Sequence, residues 1–314
     1  VRAYTIALDD VGITYSSMVN GKTDPGALDV EIDLTVASYS TPFGNSFVRV
    51  WGVPLSTLAN AAQLNGTGIT VSAGMAPGLP LANTQPPPGV VVSGTIFQAF
   101  GNWEGTEMTL DMIITPGQYV STQDDPKNLT LHWMQGGQLS DALKVCLSGA
   151  FPGASITINI SPNLIATETA PSIYQTLDQL NQYVERTSKA IIGGKAYLGV
   201  QIVPVPSGFV IYDGTAPPST SKTLLYTDLI GQPVWRGPSQ IQFYTMMRSD
   251  ISVSDKVVLP FTLVTTTAAS QSQEQQPSAI VGAYQVDVVR HVGRFRQPAG
   301  NSWLTVFDAH PVAP

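Results

Sequence analysis

The sequence is poor in charge, and almost empty of cysteine and histidine. Charged residues make up 12% of the 314 residues, roughly half of the ~25% usual in soluble globular proteins. Thr, Ser, Gln, Asn, Gly and Pro take their place, a mixture that suits strands and turns better than helices. A free monomer generally needs more surface charge to stay dispersed, so so little charge points to a surface largely covered by neighbouring chains. The 15 basic residues are scattered and outnumbered by 22 acidic ones, for a net charge of -7. Without a basic cluster there is nothing to grip a phosphate backbone. The single Cys146 excludes an intramolecular disulfide and a cysteine-based zinc site. Set among Leu143, Val145 and Leu147, it reads as a buried apolar thiol. No run of 18 apolar residues is present, so no membrane-spanning helix is expected. The opening VRAYTIALDD lacks the basic region and apolar stretch of a signal peptide.

The scarcity extends to catalytic groups. Only His132, His291 and His310 occur, without HExxH or HxH spacing, and each reads as a surface or packed histidine. No nucleophile elbow, Walker loop or GxGxxG turn is found. Gly136 to Asp141 (GGQLSD) could pass for a phosphate-binding helix start, but capping by Ser140 is the simpler account. The pairs Asp9-Asp10 and Asp124-Asp125 could serve as paired carboxylates or calcium ligands, and read more simply as solvated turns. We therefore expect no enzyme, no catalytic, metal or cofactor residues, and no cofactor. Trp51, Trp103, Trp133, Trp235 and Trp303 are widely spaced in or beside strands, as core or interface anchors would be; an exposed sugar platform is the competing reading.

What the sequence does contain is strand pattern. Its length suits two or three domains, and hydrophobic residues at 43% are enough to fill their cores. Residues 1–117 read as a β domain: Asp29 to Tyr39 alternates with period two, Phe47 to Val53 follows, and Ser56 caps a short helix to Leu64. Gly68 to Gly74, Val90 to Phe100 and Thr106 to Ile114 are further strands, interrupted by the Pro-rich loop 75–89. Residues 118–222 read as one or two small α+β modules. Their second helix is expected from Pro171 to Ile192, with Ile173, Leu177, Leu180, Val184 and Ile191 on one stripe and Gly193 at its end. Residues 223–314 return to strands: Ile241 to Met247, Asp255 to Val264, Ala279 to Val292 and Asn301 to Ala309, with the Gln-rich loop 265–278 between the second and third.

The first and last regions share one order: strand, strand, long loop, strand, turn, strand. The register is closest in the final hairpins, TIFQAFGNWEGTEMTLDMII and YQVDVVRHVGRFRQPAGNSWLTVFDA. This points to an internal duplication, with one departure. The helix from Ser56 to Leu64 has only RSDISVS as its counterpart.

SFVRVWGVPLSTLANAAQL with GITVSAG, VVVSGTIFQAFGNWEG, GGQLSDALKVCLSGAFP, TLDQLNQYVERTSK leading to VIYDG, LLYTDLIGQPVW, IQFYTMMRSDISVSDKVVLP and VVRHVGRFRQPAGNSWLTVFDA follow one another along most of the chain. In these segments the chain resembles the baseplate hub proteins of contractile-tailed bacteriophages. The resemblance implies a predominantly β, α+β fold with two tail-tube-like antiparallel β-barrel domains and small α+β modules between them. It implies a homotrimer whose six tube-like domains form a pseudo-hexameric ring, joining a hexameric tail tube to a trimeric central spike. Tail tube, spike, other baseplate proteins and a tape-measure protein are the implied partners. DNA would pass through the channel without specific binding, and the location would be the tail baseplate of a virion, after synthesis in the host cytoplasm. The family brings no catalytic residues. A receptor- or glycan-binding β-sandwich and a cell-wall hydrolase component are the alternatives, distinguished by exposed aromatics and by an acid/base pair respectively.

Overall fold

The computed structural model describes residues 1–41, 46–76, 86–117, 119, 126–194, 197–215, 220–237, 239–260, 280, 282–299 and 302–312. Loop 265–278, most of loop 75–89, and Asp124-Asp125 lie outside the described residues. Strand accounts for 49% of the structure and helix for 15%, so the expected predominantly β, α+β fold holds.

The first region contains β1 (Arg2–Leu8), β2 (Ile13–Ser16), the short β3 (Met18–Val19) and β4 (Lys22–Thr23), β5 (Val30–Val36), β6 (Ser46–Trp51), helix α1 (Leu55–Ala59), β7 (Gly68–Met75), β8 (Gly89–Glu104) and β9 (Glu107–Pro116). The middle holds β10 (Leu129–Trp133), α2 (Leu139–Ala150), β11 (Ser155–Asn159), β12 (Ala170–Tyr174), α3 (Leu177–Ile192), β13 (Gln201–Val205) and β14 (Gly208–Tyr212). The last region has β15 (Ser221–Thr223), β16 (Val234–Gly237), β17 (Gln240–Met246), β18 (Lys256–Leu259), β19 (Gly282–Arg294) and β20 (Trp303–Pro311).

Period-two alternation decides the strands. In β5, Val30, Ile32 and Leu34 are completely buried while Glu31 and Asp33 point the other way. The strand order then exposes the repeat. The first region runs β5-β6-β9-β8-β7-β1, and the last runs β16-β17-β20-β19-β18-β15, position for position. Even the bulge recurs: register shifts between Ile96 and Gln98 in β8, and between Val286 and Val288 in β19. Both lie two residues past the last residue paired with the preceding strand, Thr95 and Gln285. The copies differ at one edge, where β1 is antiparallel to β7 but β15 is parallel to β18.

The two units are not separate sheets. The outer half of β19, Val289 to Arg294, pairs antiparallel with β5, Glu31 to Val36, so both units belong to one 13-stranded sheet. The end of the β19–β20 hairpin also fills the first unit. Phe295 stacks edge-on against Tyr4 at 5.0 Å, Trp303 lies in the same core as Ile6, Ile32 and Val71, and Trp303 Nε1 donates to the Gly74 carbonyl at 3.0 Å. Arg2 donates to the carbonyls of Arg294, Phe295, Gln297 and Ala299. Gly293 permits this packing, because a Cβ there would come within 2.5 Å of the Trp303 ring.

The middle region packs α2 and α3 against a two-stranded sheet (β10, β12) and a three-stranded one (β11, β14, β13) around one shared core. Three helix expectations are corrected by the structure. Pro171 and Ile173 sit in β12, not in the first turn of α3, with Ile173 70% exposed; pairing with β10 holds them extended. The helix starts at Leu177, where Thr176 Oγ1 accepts from Gln179 N at 3.3 Å, and ends at Gly193 as expected, with φ 71°. Likewise Ser140 does not cap α2. The cap position is Gln138, and Ser140 bonds its side chain. In the first unit Ser56 lies inside α1, whose start follows Pro54, and the helix breaks at Asn60 into a 3-10 turn (Ala61–Leu64).

The buried stripe of α3 includes Asn181, fully enclosed, where a packing pattern alone would place an apolar residue. Asn181 Oδ1 accepts from Ile202 N at 2.5 Å and Nδ2 donates to Ser38 Oγ at 3.0 Å, tying α3 to β13 and to the first unit. Asn181→Leu is expected to destabilise the protein by about 1–3 kcal/mol, because it strands a buried N–H without a partner; urea unfolding followed by circular dichroism measures it.

Candidate assembly surface

Most strands of the joined sheet bury one face, and on the opposite face a row of mostly half-buried and exposed side chains runs across both units, interrupted by the buried Thr35 and Leu304. On β5, β6, β9 and β8 it carries Glu31 and Asp33, Phe47 with Arg49 and Trp51, Asp111, and Phe100 with Asn102. On β19, β20 and β17 it continues with Arg290, Val292 and Arg294, Val306 and Asp308, and Gln242 with Tyr244.

The arginines of this face are held by neighbours. Arg49 Nε donates to Asp111 Oδ1 at 2.5 Å, and Arg290 Nη2 to Asp33 Oδ2 at 2.5 Å; these hydrogen bonds hold both guanidinium groups above their ordinary range. Arg294 bonds Asp29 at 2.9 Å and lies 4.3 Å above the Trp51 ring. Arg236 Nε donates to Gln242 Oε1 at 3.0 Å, and Gln242 in turn bonds Asp308, whose carboxyl is pushed up by burial. Such pairing leaves the face close to neutral, with polar groups satisfied sideways and few donors left for a passing ligand.

The edges of the sheet differ in how they end. Strand β8 is paired with β7 only as far as Thr95, so its outer half has no strand on that side. Strand β16 pairs with β17 alone. These two edges carry Phe97 at 56%, Phe100 at 41%, Trp103 at 64% and Val234 at 44% exposure. Each edge also carries one exposed charge, Glu104 on β8 and Arg236 on β16; exposed apolar side chains along an unpaired strand edge invite pairing with another strand.

The residues singled out in the sequence are spread through the fold. His132 is exposed on β10. His291 is buried in β19, its Nδ1 3.0 Å from Thr305 Oγ1, and desolvation lowers its pKa to about 3. His310 faces Asp287 at 2.9 Å, and Asp287 also accepts from Tyr212 Oη, fastening the middle region to β19. Burial pushes the Cys146 thiol up to about 11. Asp10 accepts from Gly68 N and Asp9 from Thr70 Oγ1, clasping the β1–β2 turn to β7. Trp133 is buried with its indole N–H on the Gly137 carbonyl. Trp235 stands on the free β16, and its Nε1 is buried without a hydrogen-bond partner among the described residues. Among those residues, no group of three or more His, Cys, Asp or Glu is placed to hold a metal ion. The free outer half of β8 was missed by sequence reasoning; the overlong β8, 16 residues against 8 in β7, was its one local sign.

No protein-family model matches the chain, and no curated protein matches it. Solved structures do. A tail protein from Neisseria meningitidis superposes with a TM-score of 0.53 at 11% identity, covering 98% of this chain and 96% of that one. The 43 kDa tail protein of prophage MuSo2 from Shewanella oneidensis gives 0.53 at 8% identity over 100% of both chains. A component of the Escherichia coli type VI secretion system, itself structurally similar to the T4 bacteriophage tail proteins gp27 and gp5, gives 0.51 at 11% identity, over 91% of this chain and 73% of that one.

Proposed function

We propose that this chain, which has the fold of phage tail proteins, is a structural hub subunit of a tail baseplate and not an enzyme. Three copies form a ring of six similar units that joins a hexameric tail tube to a trimeric spike. The observation that carries this reading is the charge-paired face running across two units of equivalent strand order. A monomer that already contains one unit-to-unit junction holds a third of a six-unit ring, and rotation of that junction continues the ring in the next copy. In the ring the open face lines a central channel. Carboxylates and side-paired arginines there offer a phosphate backbone little to hold, so DNA passes without being retained. Tube, spike, neighbouring baseplate proteins and a tape-measure protein are the partners this role requires, and a virion tail is its place.

Mass photometry and negative-stain microscopy of the purified chain, alone and with tube and spike proteins, test the reading. The expected result is a three-copy ring with a central opening; a chain that stays monomeric with both partners present overturns it. The exposed Trp103 and Phe100 also fit a glycan-binding surface. On that reading a glycan array gives a saturable ligand lost in Trp103→Ala, without any ring.

A further inference from the structure

The internal repeat predicts what the free edge of β8 meets. Counting from the bulged residues Phe97 and Asp287, Phe100 of β8 occupies the place of Arg290 in β19, and Asn102 that of Val292. On the other side, Phe47 of β6 and Gln242 of β17 are equivalent, since they oppose Ile113 and Asp308, which oppose Gln98 and Val288, each one residue past its bulge. Asp33 lies opposite Phe47, and Val234 opposite Gln242. Val234 therefore takes the place of Asp33.

Within the chain these places are filled by a matched pair. β19 lies antiparallel on β5 with Val292 opposite Asp33, and Arg290 bonds Asp33. At the two free edges the same places hold Phe100 and Val234, 41% and 44% exposed. An ion pair at the closed junction is replaced by two apolar side chains at the open ones, a complementary change on both sides at once.

We propose that a second copy of this chain docks by laying its β16 antiparallel along the outer half of β8, with Val234 opposite Asn102 and packed against Phe100, so that the junction between copies repeats the β5–β19 junction within each. This rests on the ring reading above and specifies its contact. Pairing supplies main-chain partners to both edges and covers Phe100 and Val234. It begins beyond Ala99, whose N–H is taken by Asn65 Oδ1 at 2.8 Å. Helix α1 does not obstruct it, since the Leu58 carbonyl lies beneath Gly101 on its Cβ side.

The copies differ at the hairpin end. Gly293 and the docked Trp303 correspond to Trp103 and Met108, and the β8–β9 turn, two residues long, is too short to reach into a neighbour as Phe295 does. The junction between copies is thus strand pairing without the plug, and weaker than the internal one.

Charge transplantation tests the register. Phe100→Arg and Val234→Asp each place one unpaired charge in the junction, and the double variant rebuilds the Arg290–Asp33 pair. Both sites are exposed in the monomer, so thermal melts of all three variants should match the parent. Each single variant should weaken ring formation by at least about tenfold, and the double variant should restore it. As a second readout, chains carrying Asn102→Cys and Val234→Cys, mixed and oxidised, should form a reducible cross-link that neither gives alone. Single variants that assemble normally, or a double variant no better than either single while the parent forms rings, would overturn this contact and leave the ring standing. A parent that forms no ring removes the ring reading, and this junction with it.

Discussion

Trp303→Ala is expected to destabilise the protein by about 3–5 kcal/mol, the range for truncating a large aromatic in a core. The residue is fully buried, and its position makes the loss unusual in kind. Trp303 opens β20, a strand of the second unit, yet its ring completes the core of the first. It stands beside Phe295 at 6.3 Å, and Phe295 stands against Tyr4 at 5.0 Å, so one truncation loosens a chain of aromatic contacts between the units. The Gly74 carbonyl also loses its indole donor. Trp303→Phe keeps most of the packing and should cost less, with about 1 kcal/mol from the missing hydrogen bond. Urea unfolding by far-UV circular dichroism measures both. Hydrogen exchange should show β5 and the outer half of β19 losing protection together; a loss confined to the second unit would contradict the shared core.

Acid is expected to attack the same junction through His291. Its imidazole is fully enclosed opposite Leu34 of β5, and burial lowers its pKa from 6.5 to about 3. Above pH 6.5 the ring is neutral in both folded and unfolded chains. Between pH 6.5 and about 3 the unfolded chain takes up a proton that the folded chain refuses, so stability falls as pH falls, by about 1.4 kcal/mol per pH unit from this group. His291→Leu removes the titration while keeping an apolar side chain of similar bulk; Thr305 Oγ1 stays anchored to the Arg248 backbone at 3.2 Å. The difference in unfolding free energy between parent and variant should therefore shrink or reverse in the variant's favour from pH 7 to pH 4. Parallel pH curves for the two proteins would show that His291 is not the group responsible.

The candidate surface was partly legible. The match between the two final hairpins found equivalent strands, and the structure adds a bulge at the same place in both. The open face itself follows from alternation: once Val30, Ile32 and Leu34 go inward, Glu31 and Asp33 must share the outer side. The errors were at element ends. Pro171 and Ile173 carry helix-compatible spacing, and pairing with β10 overrides it. Ser56 and Ser140 have the right side chain for a cap, but the turns before them start the helices at other residues.

By itself the sequence determined what is local and periodic: the strands, the two long helices, the repeat and the scarcity of charge, because side-chain alternation and turn chemistry act within a few residues. Only the tertiary structure decided that β19 joins β5, that Trp303 serves the other unit's core, and that β8 and β16 are left open. Arg290 and Asp33 are 257 residues apart, and no local preference selects one exposed edge over another. That choice is made when β19 meets β5 across the sheet, and it leaves the outer half of β8 and strand β16 without a further strand partner, with Phe100 and Val234 exposed.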